Sequence, residues 1–496
     1  MKQKDYAIYV VTAFFVITLA IRLAMAFQTP HFSDDASYFA LRQIDEITNT
    51  GTPLFNDPLS YGGRYYMFPP GFHYVLAFFN LFLPLAFVAK VIPNILASLL
   101  IFVVYFLTRE ITKNRLAAFY SAGISGFIPI FFQKTVNSVS QYSLAVPLAG
   151  FSIFCFIRMQ KNIRYGYPLI IAITALTLVH QSALLLVIAL VFYIVFLKIE
   201  NIKESPAELE VVLFSSFLAL LIVMLMYRQA LLTEGLGIIW QNIPSDILAR
   251  FYRDVTVLGA IAKIGIIPFF YGIVTIYRYL MKKKSKFTYL FISFALTIGI
   301  LLLTEAIEIG TGLIYLGMIL TILYSIHFDH FRKFIDRTKF ASLKQILMVS
   351  LSITFILTQV FPSMIYAQRE IAEAPSDAEI AAFEWARLNT EKGSKILSGF
   401  DDGHKIAYLS ERKNVIDSNF INAGDTEEIY DDIKTIYSTN FETQAVQLLN
   451  KHNIKYIFVK DSTSILGEID YAEDKCFTEV YNNSGVRIYR SNCRLE

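Results

Sequence analysis

The chain is poor in charge, in cysteine and in tryptophan. Only 17% of its 496 residues are Asp, Glu, Lys or Arg, where a soluble globule carries about a quarter. That deficit excludes a water-solvated surface over most of its length. Three cysteines, none in a CxxC pair, exclude a thiolate metal cluster. Cys155 lies in an apolar run and reads as packing. Cys476 and Cys493 flank a hairpin-like stretch, FTEVY then NNSG then VRIY. They either pair across it in an oxidising compartment or remain two free thiols.

What is abundant is apolar surface. Hydrophobic residues make up 55%, with 43 Phe and 29 Tyr, and mean hydropathy is +0.49. Such a chain needs a bilayer, with its aromatic rings at the interfaces. Charge is also unevenly spread. Residues 367–496 carry 15 basic and 23 acidic residues, net −8, against +11 for the remainder and +3 overall. An apolar basic body (1–366) precedes an acidic water-soluble tail (367–496). The expected partners are membrane lipids and ligands met at the membrane surface, with no nucleic acid.

Tyr6 to Phe27 is long enough to span a core of about 30 Å. Lys2 and Lys4 precede it and no small-residue cleavage site follows, so an uncleaved first span is expected. Further apolar segments fall near 72–108, 117–133, 139–158, 166–197, 209–232, 257–281, 287–304, 309–326 and 343–366. Counting 72–108 as one crossing, and splitting 166–197 at His180-Gln181-Ser182, gives about eleven spans. It also gathers four basic clusters on one side: Arg109/Lys113/Arg115, Arg158/Lys161/Arg164, Arg278/Lys282/Lys283/Lys284 and Arg332/Lys333/Arg337. By the positive-inside rule that side is cytoplasmic, together with the N-terminus. Asp34/Asp35, His180, Glu305/Glu308 and the tail then lie outside. The stretch 72–108 is too long to cross the core as one helix, and its first part, before Pro84, is expected to lie on, or dip into, the outer surface.

In the tail, Ser376 followed by Glu379 predicts a capped helix through Asn389. KILSG and KYIFV read as buried strands. The fold class expected is an α-helical multi-span membrane bundle with a C-terminal extracytoplasmic α/β domain.

The first outside loop (28–71) is about 44 residues without a long strand, a kind of loop that tends to be functional. Ser33 is placed to cap a helix starting at Asp34, where the dipole favours carboxylates. Asp35, Tyr38 and Arg42 then share one face. Paired carboxylates at a membrane surface suit general-base chemistry, or a divalent cation (Mg or Mn) held against a phosphate. Arg42 and Arg64 suit either an anionic phosphate or the ordering of the loop. A solvated helix start with ordinary surface ion pairs fits the same spacing.

The run Asp35-Ala36-x-Tyr38, Arg42-x-Ile44, Asp57-Pro58, Tyr61-Gly62 and Phe68-Pro69-Pro70 resembles the first external loop of the catalytic subunit of oligosaccharyltransferase. More loosely it resembles the GT-C superfamily of integral-membrane glycosyltransferases. In the tail, Gly399-Phe400-Asp401-Asp402-Gly403, then Ile406, Arg412 and Val415, is similar to that subunit's Trp-Trp-Asp-Tyr-Gly region. The resemblance implies an inverting transferase that takes a sugar or oligosaccharide from a polyprenyl-phosphate-linked donor. The acceptor would be a protein, glycan or lipid. It implies that Asp35 is essential, with Asp34 and Asp57 as further acidic contributors and Asp401 and Asp402 facing substrate. The family's second acidic motif corresponds to Val136-Asn137-Ser138-Val139-Ser140-Gln141-Tyr142, which holds no carboxylate. A cation would then rest on Asp35, with Glu305 as a stand-in ligand.

Two polar residues at membrane depth complete the set. His180 either serves function or is satisfied packing. Lys134 either meets the donor phosphate or snorkels to the interface. A transporter or flippase would instead show ionisable residues buried mid-span and paired inverted repeats. A non-catalytic binder of lipid-linked glycans would keep the loop without the chemistry.

Overall fold

The computed structural model describes residues 2–253, 255–282, 284–460, 469, 471–473 and 475–494; Lys283 of the third basic cluster lies outside them. Among the described residues seven helices are long and apolar enough to cross a membrane: Tyr6–Ala26, Leu85–Thr112, Tyr142–Met159, Pro206–Met226, Lys286–Leu303, Ile309–Ile335 and Ala341–Asn389. Two bent pairs, Arg115–Gly126 with Pro129–Val136 and Val257–Ile264 with Ile266–Met281, add two more. The shorter apolar helices Ile163–Val179 and Ala183–Ile199 bring the segments to eleven.

The breaks have local causes. Pro84, at φ −59° and ψ 140°, starts Leu85–Thr112 and separates it from a ten-residue helix, Gly71–Asn80. Proline has no N–H to continue the preceding helix. Phe78, Leu81 and Phe82 are exposed on this short helix and the turn after it, as an interfacial segment requires. Pro93 stays inside its helix, where the Asn94 amide donates to the Lys90 carbonyl at 2.8 Å. His180 leaves the helical region at φ −158°, and its Nδ1 accepts from the Ser182 backbone N–H at 3.0 Å. Gly265, at φ +106°, makes the 100° bend of the second pair. A Cβ there would meet the Gln359 amide at about 2 Å, so only glycine fits.

The features expected outside converge on one end of the bundle. Ser138 donates to Asp34, and four residues on the Tyr142 ring packs, tilted, against His180 at 4.6 Å. Glu308 accepts from Gln241, and the neighbouring Asn242 donates to the Phe420 and Gly424 carbonyls of the tail. Basic clusters gather elsewhere: Glu110 pairs with Lys113, Arg158 and Lys161, and Arg332 donates to Asn114.

The tail forms a five-stranded sheet in the order β4-β3-β5-β7-β6, the two-residue strands β1 (Asn56–Asp57) and β2 (Arg64–Tyr65) pairing in the first loop. Here β3 is Lys395–Leu397, β4 Lys413–Asn414, β5 Tyr456–Lys460, β6 Phe477–Asn482 and β7 Val486–Ser491. The first three are parallel, and β7 runs antiparallel to both β5 and β6. Alternate residues of β5 face opposite layers. Ile457 and Val459 pack with Ile433, Ile436 and Leu449, while Tyr456 and Phe458 pack with Ala382, Phe383 and Ile488. That double burial explains the unbroken apolar run. The capped helix appears as Asp377–Asn389, with both halves of the Ser376–Glu379 box made. Cys476 and Cys493 are joined, a cross-link worth about 3 kcal/mol for a loop of this length.

Candidate active site

Strand order reverses at the carboxyl end of β3, with β4 on one side and β5 on the other. Open parallel sheets place ligand crevices at such a switch point. Gly399–Gly403 leaves β3 there, and Gly403 packs so closely that a Cβ would meet the Ile416 carbonyl at 2.1 Å. The first loop inserts its acidic helix into this crevice. Asp35 Oδ1 accepts the Lys405 backbone N–H at 3.0 Å, and Oδ2 accepts the Ser418 hydroxyl at 3.0 Å. The carboxylate is 6% exposed. Burial pushes its pKa well above the ordinary value, and the Lys405 ammonium offsets this only in part.

The helix begins at Asp35, one residue later than expected, because Asp34 rather than Ser33 is the N-cap residue. Asp34 is drawn off the helix axis by two hydroxyls, Ser37 and Ser138, the latter at 2.8 Å. Ser33 instead accepts from the Asn137 amide at 2.8 Å. Burial raises the Asp34 pKa, while the Ser37 and Ser138 hydrogen bonds pull it down. The stretch that lacks a carboxylate thus still holds the first acid, through a serine.

Both arginines of the loop are internal ties. Arg42 forks onto Asp57 at 2.6 and 2.7 Å. Arg64 donates to Asp417 Oδ1 at 2.8 Å and lies over the Tyr61 and Tyr66 rings. Asp417 also accepts from Ser60 at 2.5 Å, Tyr66 at 3.1 Å and Asn414 at 3.2 Å. Burial alone would raise the Asp417 pKa, but Arg64, His404 and Ser60 hold it below the ordinary value. Of the two roles expected for Arg42 and Arg64, these contacts perform the ordering of the loop. Tyr38 is buried, with its ring 5.8 Å from that of Tyr408.

Asp401 and Asp402 point apart. Asp401 pairs with Arg250 on a half-exposed surface. Asp402 is buried and accepts from Lys405 Nζ at 2.9 Å and Lys460 Nζ at 2.8 Å. Burial would raise its pKa, yet the two ammonium groups hold it at about 2. Lys134 pairs with Glu370 at 3.1 Å, and both charges act on Asp34. His180 sits against Tyr142, and its Nδ1 accepts from the Ser182 backbone N–H. Glu305 is forked by Arg253 at 3.0 and 2.8 Å.

The expected divalent-cation site is not assembled. Among the described residues no three His, Cys, Asp or Glu side chains converge as a metal would need. The donor set shows why. Both oxygens of Asp35 already accept protein hydrogen bonds, Asp402 faces two lysines, and Asp57 and Asp417 each face an arginine. Glu305 is committed to Arg253. A hard cation wants several free anionic oxygens, and these residues do not offer them.

Sequence reading missed Lys405, Lys460, Asp417 and Ser418. It also missed Lys90, which donates to the Ala26, Thr29 and His31 carbonyls at the end of the first span. A lysine inside an apolar run was the available signal for Lys90. The tail residues meet the loop only through the tertiary fold.

No protein-family model and no curated protein matches the chain. Solved structures do. The apo oligosaccharyltransferase of Archaeoglobus fulgidus is similar with a TM-score of 0.70 at 16% identity, over 93% of this chain and 70% of that one. The same archaeal enzyme, AglB, has been solved with an inhibitory peptide and a dolichol-phosphate, and with Zn and sulfate. ArnT from Cupriavidus metallidurans bound to undecaprenyl phosphate is similar with a TM-score of 0.55 at 10% identity, over 97% of this chain and 98% of that one. The mycobacterial arabinofuranosyltransferase AftD is similar with a TM-score of 0.59 at 13% identity, over 97% of this chain and 41% of that one. At these identities the likeness is one of fold: the chain shares with these membrane enzymes a bundle of apolar helices, here followed by a C-terminal α/β domain.

Proposed function

We propose that the chain is an inverting glycosyltransferase that draws a sugar or oligosaccharide from a polyprenyl-phosphate-linked donor and transfers it at the outer face of a cell membrane. The observation that carries this is Asp35, a buried carboxylate held between the first loop and the tail crevice at one end of an apolar bundle. The structural neighbours, which include complexes with dolichol-phosphate, undecaprenyl phosphate and an acceptor peptide, support a lipid-linked donor. The acceptor is a protein, glycan or lipid. Asp35 takes the acceptor proton as general base, and its raised pKa brings it nearer to working pH than an ordinary carboxylate. Asp34, held by Ser37 and Ser138, anchors the start of the helix that carries Asp35. The departing lipid phosphate leaves as an anion and needs electrostatic stabilisation.

A groove of about 230 Å³, apolar along Ala262, Ile266, Pro362 and Ile365 and ending at Arg369, has room for the first isoprene units of a lipid and a cation for its head. The basic clusters, read by the positive-inside rule, support a cytoplasmic N-terminus. The Cys476–Cys493 bridge fits a tail in an oxidising compartment.

The test is a transfer assay in nanodiscs with a panel of polyprenyl-phosphate sugars. Release of sugar from at least one donor onto an acceptor is expected; an intact panel with every acceptor class counts against the proposal. The same assay reads a pH effect. The base works ionised, and burial shifts its pKa upward. kcat should therefore rise with pH through a midpoint well above the ~4 of a free aspartate, and fall as acid protonates it. A midpoint at the free-aspartate value would remove Asp35 from the role.

A further inference from the structure

We propose that the Lys405 ammonium is the resident cation of this site, and that transfer by this chain needs no divalent metal. Its activity readout rests on the glycosyltransferase reading; its binding readout does not.

Three features of the geometry carry it. First, where a metal site would require a second carboxylate opposite the loop acid, the chain offers Ser138, whose hydroxyl donates to Asp34 Oδ2 at 2.8 Å. A donating hydroxyl satisfies the first carboxylate without adding negative charge. Second, the tail acid nearest the crevice, Asp402, is already neutralised twice, by Lys405 and by Lys460. Lys460 is itself shared with Glu379 at 2.5 Å. Third, Lys405 touches both acids, the loop acid with its backbone N–H and Asp402 with its ammonium. Its backbone N–H holds Asp35 Oδ1, and its side chain, 5% exposed as a residue, carries a positive charge that acts on Asp35 as well as on Asp402.

Burial would release the Lys405 proton, but Asp402 and Asp35 more than compensate and keep it charged. An ammonium paired with Asp402, on the residue whose backbone holds Asp35, puts positive charge in the electrostatic place a dication would take. It also repels one. Lys405 is a positioning residue here: it sets the charge around Asp35 rather than bonding to reacting atoms.

The experiment uses the full chain in nanodiscs, stripped with EDTA and desalted. Binding of Mn2+ is followed by electron paramagnetic resonance titration, and transfer is assayed with EDTA, Mg2+ or Mn2+. The expected result is no stoichiometric Mn2+ binding and the same turnover in all three conditions. Lys405→Met should lose about 10²-fold in kcat with KM retained, while Lys405→Arg, which keeps the charge, should recover most of it. Stoichiometric Mn2+ binding by the wild type, or turnover abolished by EDTA and restored by Mn2+, overturns the inference and leaves the glycosyltransferase reading intact. Absence of transfer in every condition counts against that reading instead, and the Mn2+ titration then decides the inference alone. A misfolded Lys405→Met does not affect either wild-type measurement.

Discussion

Asp35→Asn should fold normally and transfer sugar about 10²–10⁴ times more slowly. The amide is isosteric with the carboxyl. Its oxygen can still accept from the Lys405 N–H, and its NH2 can donate to the Ser418 hydroxyl that now donates to Asp35. What it cannot do is accept a proton. Because the wild-type carboxyl is buried and biased toward its neutral form, removing the charge does not cost stability, and the thermal midpoint should hold or rise. The measurement is kcat alongside a thermal melt. Equal turnover in Asp35→Asn would sink the assignment of the base. A collapsed melt would make Asp35 structural instead. Asp34→Asn, at a carboxylate held by two serine hydroxyls, should have the smaller effect on turnover.

Arg64→Met should undock the first loop from the tail. Arg64 and Asp417 are 5% and 0% exposed, so deleting the guanidinium leaves a buried carboxylate without its cation, typically a loss of about 3–5 kcal/mol. The variant also loses the contacts over Tyr61 and Tyr66. Limited proteolysis should then cut within 55–66 or 411–425 where the wild type resists. Arg64→Met/Asp417→Asn should recover part of the loss, because it removes the stranded charge. Neighbours in one network do not add independently. Identical protease resistance in Arg64→Met would show that the pair is not what holds the loop. Transfer should fall together with docking, since Asp35 bonds to two tail residues.

How much of this was readable in the sequence follows the range of each interaction. The break at His180, the box at Ser376–Glu379 and the apolar strand around Ile457 are written in periods of a few residues, and the fold reproduces them; of about eleven expected spans, seven helices, or nine with the two bent pairs, are long and apolar enough among the described residues. The Cys476–Cys493 pair was open as a disulfide or two thiols, because spacing alone does not decide it; the strands β6 and β7 bring the two together. The helix cap slipped by one residue because Ser138, about a hundred positions away, draws Asp34 out of the helix. The partners of Asp35 lie 370 and 383 residues along the chain, beyond any local pattern. The loop acids were visible as chemistry; the lysines that surround them were visible only as surface charge. Likewise Arg42 and Arg64 read as phosphate ligands or as loop ties, and only the placement of Asp57 and Asp417 distinguishes the two.

The central claim is chemical, and one measurement addresses it directly. Purified chain in nanodiscs is given an isotopically labelled glycosyl polyprenyl phosphate and an acceptor, and the product's anomeric configuration is read by NMR. The account predicts a single product with the configuration opposite to the donor's, formed by the wild type and absent with Asp35→Asn. A product that retains the donor configuration, or one formed equally by both proteins, would contradict it.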